Sequence, residues 1–124
     1  MNKEEKLALF LGMLSGDGCL SIKHNGEGYR NYPIQFCNTN KTIVELFNKI
    51  FFELFEIEGK ISSIKRENRK EIWEFLKHSR NIVEELKKMG FPEGVKRDIL
   101  RVPQQIINGS DNQKKYFMQG LMIT

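Results

Sequence analysis

Gly12, Gly16 and Asp17 are the grouping in this 124-residue sequence with the clearest chemical implication. The two glycines are four residues apart, so they share one face of any helix that carries them. Each costs such a helix roughly 1 kcal/mol relative to alanine, which close approach of a second helix to bare backbone would offset. Asp17 then falls at the C-terminal end, where the helix macrodipole disfavours an anion by roughly 0.3–1 kcal/mol. A bound cation reverses that sign. A carboxylate beside helix-end carbonyls is hard-oxygen ligation suited to Mg²⁺ or Ca²⁺. The Asp17-Gly18 pair would equally make an ordinary turn between helix and strand, and the residues by themselves leave both readings open.

The elements that must position these residues follow from periodicity. Lys3 to Ser15 is apolar nearly all round and lacks proline, the pattern of a buried helix closed by Gly16, Asp17 and Gly18. Leu20 and Ile22 alternate with Ser21 and Lys23, a Gly-, Asn- and Pro-bearing stretch turns the chain, and Ile34 and Phe36 alternate with Gln35 and Cys37. That predicts a hairpin with one wet face. Asn40 can cap an amphipathic helix whose apolar positions are Ile43, Phe47, Ile50, Phe51 and Leu54. Lys60–Arg66 and Ile72–Leu76 around a polar turn predict a second hairpin, with the face of Trp73 open. Asn81–Met89 is helical and ends at Gly90, with Pro92 just beyond. Val102–Ile107 reads as a short helix, and Asp111–Thr124 opens a longer one. Two hairpins with helices on one face define an α+β fold, with 1–101 as the main domain and 102–124 as a linker helix and the start of another.

Composition excludes several classes. The chain is 40% hydrophobic and has nine Phe, three Tyr and one Trp, enough bulky material to rule out a disordered chain. The apolar run Leu7–Leu14 is far short of the roughly 20 residues of a membrane helix, so no membrane association is expected. Lys3 and Lys6 ahead of that run imitate a secretory signal, but Asp17 and Gly18 stand where a small-residue cleavage site belongs. Cys19 and Cys37, without a Cys/His cluster, suggest neither a disulfide framework nor a zinc site, and a reducing cytoplasm is the expected location. The net charge of +4 is uneven: residues 60–101 carry twelve basic against seven acidic groups, whereas residues 1–59 carry six against eight. A basic centre suits a polyanionic partner.

Phe10-Leu11-Gly12-Met13-Leu14-Ser15-Gly16-Asp17-Gly18 resembles the signature of the LAGLIDADG homing endonucleases, with Gly12, Gly16, Asp17 and Gly18 in register. The αββαββα order of elements is also that family's. The resemblance extends to Lys96, to Val102-Pro103, and to Phe117-Met118-Gln119-Gly120-Leu121-Met122, which looks like the opening of a second copy of the motif. It implies a sequence-specific endonuclease that hydrolyses phosphodiesters of double-stranded DNA with Mg²⁺. Signature helices would pair face to face through small residues, here Gly12, Met13, Ser15 and Gly16, and the sheet would form a saddle on the DNA. Asp17 would be the metal-binding acid and the Gly16 carbonyl a second ligand. Lys96 matches the lysine near the scissile phosphate, and Asn40 falls at a polar position beside the site.

Two departures matter. Ser15 replaces the first acid of the motif. Aligning Gly12 with Gly120 puts Thr124 opposite Gly16, so within this sequence one polypeptide owns one catalytic acid, and cutting two strands asks for two. A homodimer through the first helix is the natural repair. The alternative is that the helix from Asp111 packs against the first helix within the same chain and leaves half a site.

On the ribbons, alternation puts Leu20, Ile22, Ile34 and Phe36 inward, so that Ser21, Lys23, Gln35 and Cys37 are candidate base readers in the major groove. Arg30, Lys60, Ser62, Lys65, Arg66 and Arg69 would add phosphate contacts or further readout. A basic edge that merely discourages aggregation accounts for the same charges. Two other functions fit the missing acid: a nucleic-acid-binding regulator or splicing helper without chemistry, and a decayed fragment of a two-motif enzyme. An active enzyme of this kind would serve the mobility of an intron or intein.

Overall fold

The computed structural model describes residues 1–20, 23–24, 30–65, 67–91 and 102–124, with the backbone alone at 19, 23, 24, 30 and 31. Helix α1 (Lys3–Asp17) starts at a capping box: Asn2 Oδ1 accepts the Glu5 backbone N–H at 2.8 Å, and Glu5 Oε1 accepts that of Asn2 at 3.0 Å. Every residue from Ala8 to Ser15 is buried, as expected of a helix that is apolar all round.

Strands β1 (Gly18–Leu20) and β4 (Pro33–Asn38) pair antiparallel, with a two-residue ladder, β2 (Lys23–His24) against β3 (Arg30–Asn31), between them in the chain. After α2 (Lys41–Phe55), the hairpin β5 (Lys60–Ile64) and β6 (Ile72–His78) returns to the sheet, and β6 pairs with β4. The four-stranded sheet runs β1-β4-β6-β5, antiparallel throughout. Helix α3 (Arg80–Lys88) ends in a Schellman motif: Gly90 takes φ 97°, its N–H donates to Lys87 O, and that of Phe91 donates to Leu86 O. A short α4 (Gln104–Ile107) and α5 (Asp111–Met122) complete the fold; α5 opens with a Ser110–Gln113 capping box. The α+β architecture and its αββαββα order are those expected, with the first hairpin divided into two ladders.

One face of the sheet is sealed by phenylalanines. Phe36 of β4 and Phe75 of β6 are register partners, both fully buried, and Phe47 of α2 stacks on Phe36 at 4.3 Å between ring centroids. Phe47 also meets Phe10 of α1 at 5.0 Å and Phe75 at 4.9 Å, so one ring joins four elements. Side chains alternate along a strand; with Phe36 and Phe75 inward, Ile34, Ile61 and Trp73 share the helix side. Trp73 packs against the core, with Lys41 Nζ 4.7 Å from its ring centroid, which settles the face that the sequence left open. Residues 35, 37, 60, 62, 64, 72, 74, 76 and 78 therefore occupy the opposite, helix-free face.

Phe47→Ala should lower the unfolding free energy by about 3–5 kcal/mol. Urea denaturation checks this, and a loss below about 1 kcal/mol would mean that the ring does not join these elements.

Candidate active site and nucleic-acid interface

The small-residue face of α1 is occupied by α5 of the same chain. A Cβ built on Gly12 would overlap Phe117 O and crowd Leu121 N; one built on Gly120 would overlap Leu9 O and crowd Met13 N. The two sets correspond residue for residue: each glycine meets the carbonyl three residues before the other, and the amide one residue after it. Around Gly12 and Gly120 the two helices are thus related by a local pseudo-two-fold axis. The same register brings Thr124 against Gly16, where an added Cβ would strike Thr124 Oγ1. The Thr124 hydroxyl is tied back to Leu121 O at 2.9 Å.

Of the two arrangements the sequence left open for Gly12, Met13, Ser15 and Gly16, a second copy or the helix from Asp111, the structure has the second. Gly12 and Gly16 meet α5, Met13 is fully buried in the core, and Ser15 is 8% exposed. The reason is steric: backbone laid on backbone at Gly12 and Gly120 leaves no room for another helix.

The feet of the paired helices open onto a hollow of about 470 Å³. Asp17, Asn38 and Thr39 line one side of it and Ile123 and Thr124 the other. Asp17, at the end of α1, is half-buried, and its Oδ2 accepts from Asn38 Nδ2 at 2.8 Å. Asn38 Oδ1 in turn accepts the Asn40 backbone N–H at 2.8 Å, which fixes the amide's orientation and aims its NH₂ at the carboxylate. Asn40 caps α2 as expected, its Oδ1 accepting the Thr42 N–H at 3.0 Å, and the polar side chain that reaches Asp17 is that of Asn38. Sequence reasoning missed Asn38, although an Asn-Thr-Asn run at the end of a strand signals a polar cluster there.

A divalent cation suits this donor set in kind. Asp17 supplies a carboxylate, and the last carbonyls of α1, Gly16 among them, have no amide of their own helix to bond. In number the set falls short: among the described residues no three His, Cys, Asp or Glu side chains gather to hold a metal. The described residues offer one acid at the foot of one helix.

The helix-free face of the sheet adjoins this hollow, since Cys37 and Ile72 also line it. Of the expected DNA contacts, Gln35 and Cys37 are half-buried there, and Lys60 and Ser62 are exposed. Lys65 and Arg69, beyond the end of β5, are exposed as well. Lys23 and Arg30 stand in the β2/β3 ladder. Ser21, Arg66 and Lys96 lie outside the described residues. Sequence reasoning also missed Glu74, which is half-buried between Cys37 and Ser62 in register and accepts the Cys37 thiol at 3.7 Å. No described helix is long and apolar enough to cross a membrane.

No protein-family model matches the chain. Over 120 residues it is 30% identical to an A-type ATP synthase subunit from Pyrococcus abyssi, spanning 97% of this chain and 10% of that one. Among solved structures it resembles variants of the homing endonuclease I-DmoI, with a TM-score of 0.72 and 16% identity over 99% of this chain. It also resembles I-DmoI in complex with DNA and Mn (TM-score 0.70, 15% identity, 98% of this chain) and with DNA and Ca (0.69, 15%, 99%). These matches cover 58–62% of the I-DmoI chains. The chain therefore has the LAGLIDADG homing-endonuclease fold, as the motif at residues 10–18 led us to expect.

Gly12→Ala should cost about 1–3 kcal/mol by overpacking α1 against α5. Gly16→Ala should cost less, because only the Thr124 side chain stands in the way and alanine favours the helix. Equal effects in parallel denaturation curves would refute the close backbone pass at Gly12.

Proposed function

We propose that this chain is a sequence-specific, metal-dependent endonuclease of the LAGLIDADG homing type, acting on double-stranded DNA with Mg²⁺ as its cation. The observation that carries this reading is Asp17 at the foot of α1, held by Asn38 and open to a hollow beside a helix-free sheet face. The solved structures of this fold with DNA and Mn or Ca support it. Asp17 and the Gly16 carbonyl would hold a divalent cation, which when bound would supply charge neutralisation at the phosphodiester and activation of water. The protein's own part is positional: Asn38 fixes the carboxylate, and Gly12 and Gly120 draw the helix feet together. Lys60, Lys65 and Arg69, with Lys23 and Arg30, seat the DNA backbone, and Gln35, Cys37 and Ser62 face base edges. Lys96 takes the place of a phosphate-neutralising lysine.

Two cuts ask for two acids, and the described residues bring one, Asp17, to the feet of the paired helices. In this reading 1–101 is the endonuclease-like domain and 102–124 a linker helix followed by the truncated start of a second signature helix. The face of α5 turned away from α1 is open, with Met118 51% and Met122 77% exposed. A homodimer that joined two Asp17 carboxylates would first have to strip α5 from Gly12 and Gly16. Intron or intein mobility is part of the same proposal. The single acid favours a second reading, a DNA-binding module without chemistry.

Purified protein incubated with Mg²⁺ and a library of long duplex sites should cut within the motif it binds. Asp17→Asn should abolish cutting and keep binding, and Asn38→Ala should slow it by roughly 10- to 100-fold, as loss of a group that orients a metal ligand does. Binding should weaken steeply with salt as counterions are released. Binding without cutting would select the second reading, and salt-independent binding would refute the surface.

A further inference from the structure

The centre of the helix-free sheet face carries a carboxylate, that of Glu74. Register places Glu74 between Cys37 on β4 and Ser62 on β5, with Ile72 and Leu76 two residues away on its own strand. One row along, Ile64 and Ile72 are cross-strand partners, and both are exposed, at 39% and 38%. Together with Arg69 and Lys70 from the hairpin turn, Ile64, Ile72 and Glu74 line a hollow of about 250 Å³. Among the described residues no ion pair engages Glu74, and the group that donates to it is the Cys37 thiol.

A carboxylate on a surface that meets DNA is repelled by phosphates and by the N7 and O6 acceptors of guanine. It can only accept. The amino groups in the major groove are cytosine N4 and adenine N6, and adenine sets its N7 lone pair beside N6, which leaves cytosine as the base that suits a carboxylate. An apolar pair on the same face matches the one apolar group in the groove, the thymine methyl. Outward residues two apart on a strand are separated by roughly 6.8 Å, and successive base pairs by about 3.4 Å, so the two readers sit about two base pairs apart.

We propose that Glu74 and the Ile64–Ile72 pair are specificity determinants, Glu74 selecting a cytosine and the isoleucines a thymine about two base pairs away in the major groove. Arg69 and Lys70 flank them as backbone contacts. The inference rests on the DNA-binding reading above, and its test separates the two.

The full chain, the Glu74→Gln and Ile72→Ser variants, and a pool of randomised duplexes supply the experiment, read by repeated selection for binding without Mg²⁺. The wild-type chain should recover a motif with a near-invariant C·G pair and a T·A pair about two steps away. Glu74→Gln is isosteric and should fold with an unchanged melting curve. It should shift the cytosine position toward adenine, changing the C·G to A·T affinity ratio roughly tenfold or more. Ile72→Ser should relax only the thymine position. If Glu74→Gln recovers the wild-type motif unchanged, the assignment of Glu74 is overturned while DNA binding stands. If the wild-type chain enriches no motif, the DNA-binding reading falls and this inference with it.

Discussion

Two helices can lie backbone to backbone only where side chains are absent, and Gly12 and Gly120 provide that at one point of α1 and α5. The rest of the candidate site depends on this pass. It sets the pseudo-two-fold register, puts Thr124 against Gly16, and directs both helix ends into one hollow. Two glycines in helix interiors are a local cost, and the close packing of the buried Ala8–Ser15 stretch of α1 offsets it. A carboxylate at the negative end of a helix is likewise unfavourable alone. It becomes reasonable where a cation can sit, and Asn38 donates to it meanwhile.

The sheet couples that hollow to a broad surface. Phe36, Phe47 and Phe75 commit one face to the core so completely that the opposite face is fixed in register, and β4 and β6 share the central ladder. The strand that ends at Asn38 beside Asp17 also carries Gln35 and Cys37 on the outer face. Whatever docks on the sheet is thereby held in a fixed position relative to the acid. Rigid support of this kind is how a fold joins recognition to chemistry.

Local pattern carried much of this into view. The Gly-xxx-Gly-Asp run, the cap at Asn40 and the stop at Gly90 depend on residues a few positions apart, and the structure has all of them. What local pattern could not decide was tertiary. Whether Gly12 faces a second copy or α5 turns on a contact more than a hundred residues away in the chain. Which asparagine of Asn38-Thr39-Asn40 reaches Asp17 depends on where β4 ends relative to β1. The stretch Ile72-Trp73-Glu74-Phe75-Leu76 is apolar on both of its faces but for Glu74, so alternation could not orient it; only the pairing of Phe75 with Phe36 does.

The proposal that the two helix feet converge on one acid that binds a cation is most directly tested by adding Mn²⁺ to isotope-labelled protein and following paramagnetic broadening of backbone amides. Signals of Gly16, Gly18 and Asn38 should broaden together with those of Ile123 and Thr124, and Asp17→Asn should abolish the effect. Broadening confined to the α1 side would contradict the convergence of α1 with α5, and broadening that survives Asp17→Asn would contradict the role of that carboxylate.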